Sequence, residues 1–266
     1  MFVIKFYKYH GAGNDFIIVE NLSGGILLSM EQIAFLCDRH KGIGADGVIL
    51  IESSKSSDCF MNYYNSDGTL AEMCGNGIRC TASFLRDCIP PNKKDFKIET
   101  RAGIKTISLG DDETFSVNMG KPVFIHDDFP RESVELEGLN LNFVSIGNPH
   151  AVAFVQNLED YNLPLLGPKI EHNNKFPNKI NLELVERKSS NEFSVRVWER
   201  GCGITLACGT GACAVYALCS KNKYPGRELT FELLGGRLFI SENSKGEIIM
   251  RGPARKVYTG KIEVVV

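Results

Sequence analysis

The chain has 266 residues, and its 30 Lys and Arg nearly balance 32 Asp and Glu, giving a formal net charge of −2. This charge, without a basic stripe, argues against nucleic acid as a partner, and the length is sufficient for two domains with a core each. The N-terminus carries neither a signal peptide nor a sustained apolar stretch, so we expect a cytoplasmic protein with no membrane span.

The first half of the chain is predicted to combine short strands with two helices. Residues 29–40 have apolar side chains at helical spacing, with Ser29 as the N-cap. A more apolar helix is predicted at 75–88, ending before Pro90-Pro91. The strands predicted in this half are 2–9, 16–19, 48–51, 59–64, 96–100, 104–109 and 114–118.

The second half repeats this order after a predicted crossover at Lys121-Pro122. Its long helix is expected at 209–220, ending before the sequence Lys-Tyr-Pro-Gly at 223–226, and a loop rich in Asn and Pro is expected at 172–181. Many strands with about one long buried helix in each half predict an α+β fold without a run of regular β-α-β units. The strands predicted in this half are 141–146, 151–155, 182–186, 193–198, 228–234, 237–242, 247–251 and 261–266.

A cysteine followed by Gly-x-Gly occurs twice at the start of a predicted helix, at Cys74 and Cys208. The separation is 134 residues (208 minus 74). Several matches at this offset indicate an internal duplication, with two similar domains related by a rough twofold axis and a cleft between them. We predict domains at 1–121 and 122–257. Further matches at this offset, the last two after a slip of one residue, are Gly13-Asn14 with Gly147-Asn148, Glu99 with Glu232 and Gly103 with Gly236.

A thiol at a helix N-terminus suits acid and base chemistry. The helix dipole and free N–H groups there favour the thiolate and lower its pKa, and the same N–H groups bind carboxylates. Two such cysteines suggest proton transfer at a stereocentre, with one thiol on each face. A cysteine protease would use His10 or His150 as its base, which leaves the duplication unexplained. In the alternative interpretation, both cysteines are small residues that fill a tight turn.

Polar residues at strand ends are candidates to hold a ligand around the same inferred cleft. Four asparagines could bind ammonium and carboxylate groups together. Glu199-Arg200 follows a strand directly and precedes the Cys208 loop, which favours a ligand role over a surface ion pair. The four asparagines are Asn14, Asn65, Asn148 and Asn181.

These motifs together resemble the diaminopimelate epimerase family, the pyridoxal-independent enzymes that interconvert LL- and meso-diaminopimelate for lysine and peptidoglycan synthesis. The two cysteine motifs are specific, and the set covers nearly the whole chain in order. The matching segments are Gly-Ala-Gly-Asn-Asp-Phe at 11–16, Asn-x-Asp-Gly at 65–68, Met-Cys-Gly-Asn-Gly-x-Arg at 73–79, Gly-Asn-Pro-His at 147–150, Glu-Arg-Gly at 199–201 and Ala-Cys-Gly-Thr-Gly-x-x-Ala at 207–214.

The resemblance implies that Cys74 and Cys208 are the acid/base pair and that diaminopimelate is the small-molecule substrate. It implies no cofactor and no metal, and two domains of mainly antiparallel strands, each wrapped around a central helix. In the family the C-terminal strand, here about 258–266, returns to the first domain. The residues implied in substrate binding are Asn14, Asn65, Gly75, Asn76, Asn148, Asn181, Glu199, Arg200, Gly209 and Thr210, with His150 in support.

Two positions depart from the family pattern. Gly47 stands where some members carry a substrate-contacting Gln, and Cys202 is an extra thiol near the site. The closest rival is a proline racemase or hydroxyproline epimerase, whose first motif reads Cys-Gly-His where this chain has Asn76. A thiol-redox or metal-binding protein is the rival from another class, and the absence of Cys-x-x-Cys speaks against it. The sequence leaves a homodimer open.

Overall fold

The computed structural model describes residues 2–71, 73–88, 93–222 and 227–264. The chain divides into two compact units, residues 1–117 with 252–266 and residues 118–251, where we had expected borders at 121/122 and 257/258. The first border comes earlier because Asn118 already donates a hydrogen bond to Glu247 of the second unit. The second comes earlier because the Pro253 and Ala254 carbonyls accept hydrogen bonds from a helix of the first unit.

The first unit is a mixed sheet with two helices. Its strands follow the order β17-β1-β2-β3-β4-β5-β6-β7, in which β2–β3 and β4–β5 are parallel and the other pairs antiparallel. A helix connects the strands of each parallel pair, as parallel pairing requires a crossover. The elements are β1 (Phe2–Gly11), β2 (Asn14–Asn21), α1 (Met30–Cys37), β3 (Gly47–Glu52), β4 (Cys59–Asn65), α2 (Gly75–Cys88), β5 (Asp95–Thr100), β6 (Gly103–Leu109), β7 (Phe115–Gly120) and β17 (Arg255–Val264).

The second unit repeats this topology. Its strand order is β8-β9-β10-β11-β12-β14-β15-β16, again with the third and fifth pairs parallel, and β13 adds a short pairing to β12. The elements are β8 (Val134–Leu136), β9 (Leu139–Ser145), β10 (Pro149–Val155), a 3₁₀ turn (Leu158–Asp160), α3 (Leu163–Glu171), β11 (Asn181–Arg187), β12 (Glu192–Glu199), β13 (Gly203–Ile204), α4 (Gly209–Asn222), β14 (Leu229–Leu233), β15 (Gly236–Glu242) and β16 (Ile248–Gly252).

The strand registers preserve the offset of 134 seen in the sequence. After β12 the offset between equivalent residues changes from 134 to 133. The matches of Glu99 with Glu232 and of Gly103 with Gly236 predict this slip of one residue. The internal duplication is therefore present in the backbone pairing as well as in the motifs. Each paired couple of the first unit has an equivalent couple in the second: Phe16–Gly47 corresponds to His150–Asn181, Val48–Tyr64 to Leu182–Trp198, and Phe60–Glu99 to Ser194–Glu232.

The longest helix of each unit is buried among its strands. Every residue of α2 from Gly75 to Leu85 is buried, and α2 packs on β1, β2, β3, β5 and β17, while α4 packs on β9, β10, β11 and β15. The shorter helix α1 covers the other face of β2 and β3, so these strands are apolar on both faces. The prediction of an α+β fold with a central helix in each of two similar units is confirmed.

The predicted elements match closely, apart from one helix that ends earlier than predicted and four elements that were not predicted. The helix at 29–40 ends at Cys37, because the Asp38 carboxylate turns the chain by accepting the N–H groups of His40 and Lys41, and its Ser29 cap is confirmed. β8, β13 and the 3₁₀ turn were not predicted, nor was α3.

The stops predicted at Pro90-Pro91 and 223–226, and the last two residues of the final strand, lie outside the described residues. In the described part of the chain, no helix has the length and apolar character to span a membrane.

Candidate active site

Cys74 is the N-cap of α2. Its carbonyl accepts the N–H of Ile78 at 2.8 Å, and its Sγ accepts the N–H of Gly77 at 3.5 Å. A sulfur thus occupies the position where a Ser oxygen usually caps a helix. The amides of Gly75 and Asn76 lie in the first turn, where N–H groups lack an intrahelical acceptor.

The side chain of Asn14 links Cys74 to the surrounding sheet. Its Oδ1 accepts the Cys74 thiol at 3.6 Å and the Asn76 amide at 3.2 Å, while its own amide donates to Asp46 Oδ2 at 2.6 Å. Asn76 is held in turn by the buried Arg79, which donates to Asn76 Oδ1 at 2.8 Å. This first centre (Cys74, Asn14 and Asn76) has each amide oriented by a specific partner.

A group of charged residues lies behind the first centre. Arg39 donates two hydrogen bonds to Asp15 and one to Asp46, and the buried Lys8 pairs with Asp15 at 2.7 Å. Although burial raises the pKa of Asp15, the hydrogen bonds from Arg39 and Lys8 prevail and hold it at about 2. Burial and the charge of Asp15 raise the pKa of Asp46. Asn14 is therefore fixed through an ion network that the sequence did not predict.

Cys208 caps α4 in the same way, with the N–H of Gly211 3.3 Å from its Sγ and the Thr210 hydroxyl at 3.3 Å. Its environment differs, because only 4 % of the residue is exposed. Burial raises the pKa of the Cys208 thiol well above its ordinary value, and the carboxylates of Glu199 and Glu183 raise it further. The lower pKa expected from the helix N-terminus is thus wrong for Cys208, because burial and the two carboxylates outweigh the hydrogen bonds from Thr210 and from the Gly211 N–H.

Glu199 lies at the end of β12 and faces the Cys208 thiol. Its Oε1 accepts the Thr205 hydroxyl at 2.5 Å. Burial raises the Glu199 pKa, against the hydrogen bond from Thr205 and the charge of His150. A carboxyl group that keeps its proton more readily than usual beside a thiol is a candidate to exchange a proton with that thiol.

His150 and Glu183 form a fully buried pair in the same unit. Nδ1 of His150 lies 2.7 Å from Glu183 Oε1, and Nε2 lies 3.0 Å from Asn148 Oδ1. Because both ring nitrogens are engaged in this way, His150 is not placed as the base of a cysteine protease. His10, the other candidate, accepts the N–H of Gly13 at 3.3 Å. We refer to Cys208, Glu199, His150 and Asn148 as the second centre.

The remaining candidates occupy turns at strand ends. The buried Asn181 donates to the Pro149 carbonyl at 2.9 Å and accepts the N–H of Arg200 at 2.9 Å, so its amide braces the turn after Glu199. The guanidinium of Arg200 donates to the Asn178 carbonyl. Asn65 donates to Thr69 at 3.0 Å. Their contacts with a ligand stay a prediction.

The two departures from the family pattern also have structural settings. A Cβ at Gly47 would lie 2.5 Å from the Tyr64 carbonyl oxygen and 2.6 Å from the ring of Tyr63, so this backbone has no room for a longer side chain. The extra Cys202 is exposed, and its N–H donates to the Glu199 carbonyl at 3.0 Å. Among the described residues, no three His, Cys, Asp or Glu side chains converge as metal ligands.

Comparison with known proteins identifies the family. A family model described as diaminopimelate epimerase matches residues 6–125 and 142–257. A protein of that name from Methanococcus maripaludis (strain C5) is 43% identical over 277 residues, spanning 98% of this chain and 100% of its own. The chain belongs to the diaminopimelate epimerase family. A protein of the same name from Acetivibrio thermocellus is 41% identical and spans 98% of this chain and 99% of its own.

Solved structures with low sequence identity share the fold of this family member. A phenazine biosynthesis protein of the PhzF family from Bacillus anthracis has a TM-score of 0.75 at 20% identity, covering 99% of this chain and 100% of its own. A hydroxyproline epimerase from Agrobacterium vitis has a TM-score of 0.69 at 13% identity, covering 98% of this chain and 91% of its own. At these identities, the comparison supports the fold alone.

Sequence reasoning missed the residues that hold the candidate side chains in place. Asp15, Arg39 and Asp46 are distant in sequence from Cys74, and no local pattern connects them. The one readable signal was Glu183, a carboxylate in the middle of the apolar segment Leu182–Val185. A charged residue inside a buried strand requires a partner, and that partner is His150.

Proposed function

We propose that the protein epimerises LL-diaminopimelate to meso-diaminopimelate by two-base proton transfer without a cofactor. The observation that carries the proposal is the duplicated cysteine cap. In each unit, a cysteine precedes the buried helix, and its sulfur lies beside the N–H groups of the first turn. Family membership supports both the isomerase class and this substrate.

The α-proton of an amino acid is a weak acid, so its removal needs a base and stabilisation of the negative charge that develops. In the proposed reaction, N–H groups at a helix N-terminus bind the α-carboxylate, and Gly75 with Asn76 and Gly209 with Thr210 are the candidates to supply them. The N–H groups and the positive helix ends then stabilise the charge that spreads onto the carboxylate. One thiolate removes the proton, and the opposite thiol supplies another, which inverts the configuration.

The different surroundings of the two thiols support a starting protonation state. Burial raises the pKa of the Cys208 thiol and so favours its protonated form, which suits it as the acid. In the enzyme form with Cys208 protonated, Cys74 would then be the base that removes the α-proton of the bound isomer. After one turnover the roles are exchanged, and Glu199 is placed to help return a proton to Cys208.

The other candidate residues would hold the second amino acid group of the substrate. Asn65 and Asn148 carry amides, Asn181 braces the turn that carries Arg200, and Glu199 and Arg200 supply charges that match an ammonium and a carboxylate. Such contacts would select a substrate with two amino acid groups over a smaller amino acid such as proline. We further propose that the enzyme acts in the cytoplasm, as the odd count of nine cysteines suggests for a reducing compartment.

The test is conversion of LL-diaminopimelate by protein treated with a chelator and a carbonyl reagent, with the isomers separated chromatographically. We expect undiminished formation of the meso isomer and no racemisation of proline. Loss of activity that pyridoxal phosphate restores would contradict the cofactor-free mechanism. Racemisation of proline with no action on diaminopimelate would contradict the substrate.

A further inference from the structure

Asn14 and Asn148 are equivalent residues of the duplicated units, but their amides are held in opposite orientations. Asn14 donates its NH₂ group to Asp46 and leaves Oδ1 facing the Cys74 thiol. Asn148 instead has Oδ1 3.0 Å from Nε2 of His150. Its amide nitrogen has no hydrogen-bond partner within the described ranges, and the residue is partly exposed. One copy thus offers an acceptor and the other a donor.

The orientation of Asn148 depends on a proton at Nε2 of His150. At the other side of the ring, Nδ1 lies 2.7 Å from Glu183 Oε1, and both side chains are fully buried. The second oxygen of Glu183 has no hydrogen-bond partner in the described structure. An ionised carboxylate in such a position is costly unless a proton or cation neutralises it. His150 is the ion-pair partner found for Glu183 in the described chain.

The charges around the pair favour the same protonation. Within the described residues, Glu199 and Cys208 are titratable groups that interact with this pair, and both become negative when they ionise. A pair of net charge −1 would add to these negative charges in a buried region. A neutral pair has one proton between the carboxyl group and Nδ1 and a second on Nε2. Nε2 then donates to Asn148 Oδ1, whichever of the two partners holds the first proton.

The pair exists in only one copy of the duplication. At the offset of 134, Glu183 corresponds to Ile49 and His150 to Phe16. A Cβ at Gly211 would lie 2.6 Å from Glu183 Oε1, so glycine admits the carboxylate to the first turn of α4. The equivalent glycine in α2 faces the apolar side chain of Ile49 instead. The carboxylate and imidazole are therefore specific to the second unit.

We propose that Glu183 is a positioning residue that acts through His150 to fix Asn148 with its NH₂ group available to a ligand. The second centre then presents a hydrogen-bond donor, suited to a carboxylate oxygen, where the first presents an acceptor. The identity of the bound carboxylate as part of diaminopimelate rests on the proposed function, whereas the orientation of the amide does not.

The protonation of His150 can be measured without substrate. The chain has five histidines, so ¹⁵N-histidine labelling gives few signals, and a His150→Gln variant assigns the relevant one. At neutral pH, we expect Nε2 of His150 to carry a proton with a hydrogen-bonded N–H signal. A neutral ring with its proton on Nδ1 and a lone pair on Nε2 would overturn the proposal, because Asn148 would then have to turn its NH₂ group towards the ring.

Kinetics of two variants separate positioning from packing. In Glu183→Gln, the amide can donate to Nδ1 and keep the proton on Nε2, so we expect KM within about twofold of the parent. The methionine of Glu183→Met has a similar length but no polar group, so it cannot hold the proton on Nε2 of His150. The NH₂ group of Asn148 would then no longer be fixed towards the charged ligand, which should raise KM by ~10-fold or more, with a smaller effect on kcat. Glu186→Met, on the partly exposed part of the same strand, is the control and should leave both parameters unchanged.

Equal KM values for the Gln and Met variants would overturn the proposal, since packing alone would then explain the residue. If the Met variant does not fold, the histidine signals of the parent and of Glu183→Gln still show whether Nε2 of His150 carries a proton, and a lone pair there would overturn the proposal. If the parent fails to epimerise diaminopimelate, the proposed function fails, while the proton on Nε2 independently supports or refutes the amide orientation.

Discussion

At the scale of single residues, the protein contains nine thiols, and in the part of the chain that the structure describes Cys74 and Cys208 each cap a helix with their sulfur. We expect Cys74→Ala and Cys208→Ala each to lower kcat by at least ~10²–10⁴-fold, the usual contribution of a general acid or base. Cys219→Ala is the matched control on α4, because this buried thiol lies near the C-terminal end of the helix, away from the N–H groups of its first turn. Near-parental turnover of either capping variant in an epimerisation assay would contradict a two-base mechanism.

Asp15 gives a second prediction at this scale, for stability against pH. Its pKa of about 2 in the folded protein lies below the value of about 3.9 in an unfolded chain. The carboxylate therefore stabilises the fold fully above about pH 3.9, and this contribution is lost as the pH falls towards 2. We expect Asp15→Asn to lower the free energy of unfolding at pH 5 and to approach the parent near pH 2.

Urea unfolding at several pH values measures this convergence. Asp111→Asn is the control, because the Asp111 side chain is 93 % exposed and its pair with Lys94 is screened by solvent. That variant should follow the parent at every pH. A difference between Asp15→Asn and the parent that stays constant from pH 5 to pH 2 would show that packing, and not the charge of Asp15, sets its contribution.

At the scale of elements, local pattern was sufficient for most helices and strands but failed for α3. The segment Leu163–Glu171 contains two prolines and a glycine, which normally argue against a helix. Pro164 is tolerated in the first turn, and Asn162 caps the helix by accepting the N–H of Leu165. Gly167 is explained by the Trp198 ring that packs directly on it, a tertiary contact that no local pattern reveals.

The site, like the elements, could be predicted only where it depends on residues that are close in sequence. The cysteine caps and the asparagines at strand ends were readable, because each depends on residues close in sequence. The partners of those residues were not readable, since Arg39 lies in the turn after α1 and reaches Asp15 on β2, and Glu183 reaches His150 through the pairing of β10 with β11. The orientation of an amide and the burial of Cys208 also depend on packing. Sequence therefore predicted the positions of the two thiols at helix starts, whereas their surroundings and protonation depend on the folded structure.

Gly167 gives a prediction about α3. An added Cβ would lie 2.1 Å from Trp198 Cδ2, so the ring must move and lose its hydrogen bond of 2.8 Å to Glu171. We expect Gly167→Ala to lower the free energy of unfolding by about 1–3 kcal/mol, as overpacking does. The chain has one tryptophan, so fluorescence reports the displacement directly. Gly25→Ala, whose Cβ would make only an ordinary contact, should change neither stability nor fluorescence.

At the scale of the whole molecule, the duplication has preserved the backbone while the polar surroundings diverged. Both units keep the strand order, the register and the cysteine cap. The first unit supports its cysteine with Asn14 and a cluster of ion pairs, whereas the second places Cys208 among Glu199, His150 and Glu183. Two similar thiols in different environments suit a reaction in which one group donates a proton while the other accepts one.

This division of roles predicts where deuterium enters during turnover in D₂O. A thiol holds a single exchangeable proton, so the acid that completes inversion delivers deuterium, while the proton removed by the other thiolate exchanges with solvent. Starting from LL-diaminopimelate, we expect the first meso product to carry one deuterium at the inverted carbon, while the remaining substrate carries little. Mass spectrometry of the separated isomers at early times measures both. Product that retains the original proton would indicate a single base that works on both faces, and substrate that exchanges faster than product forms would indicate a base holding several exchangeable protons. Either outcome would contradict the assignment of one thiol to each face.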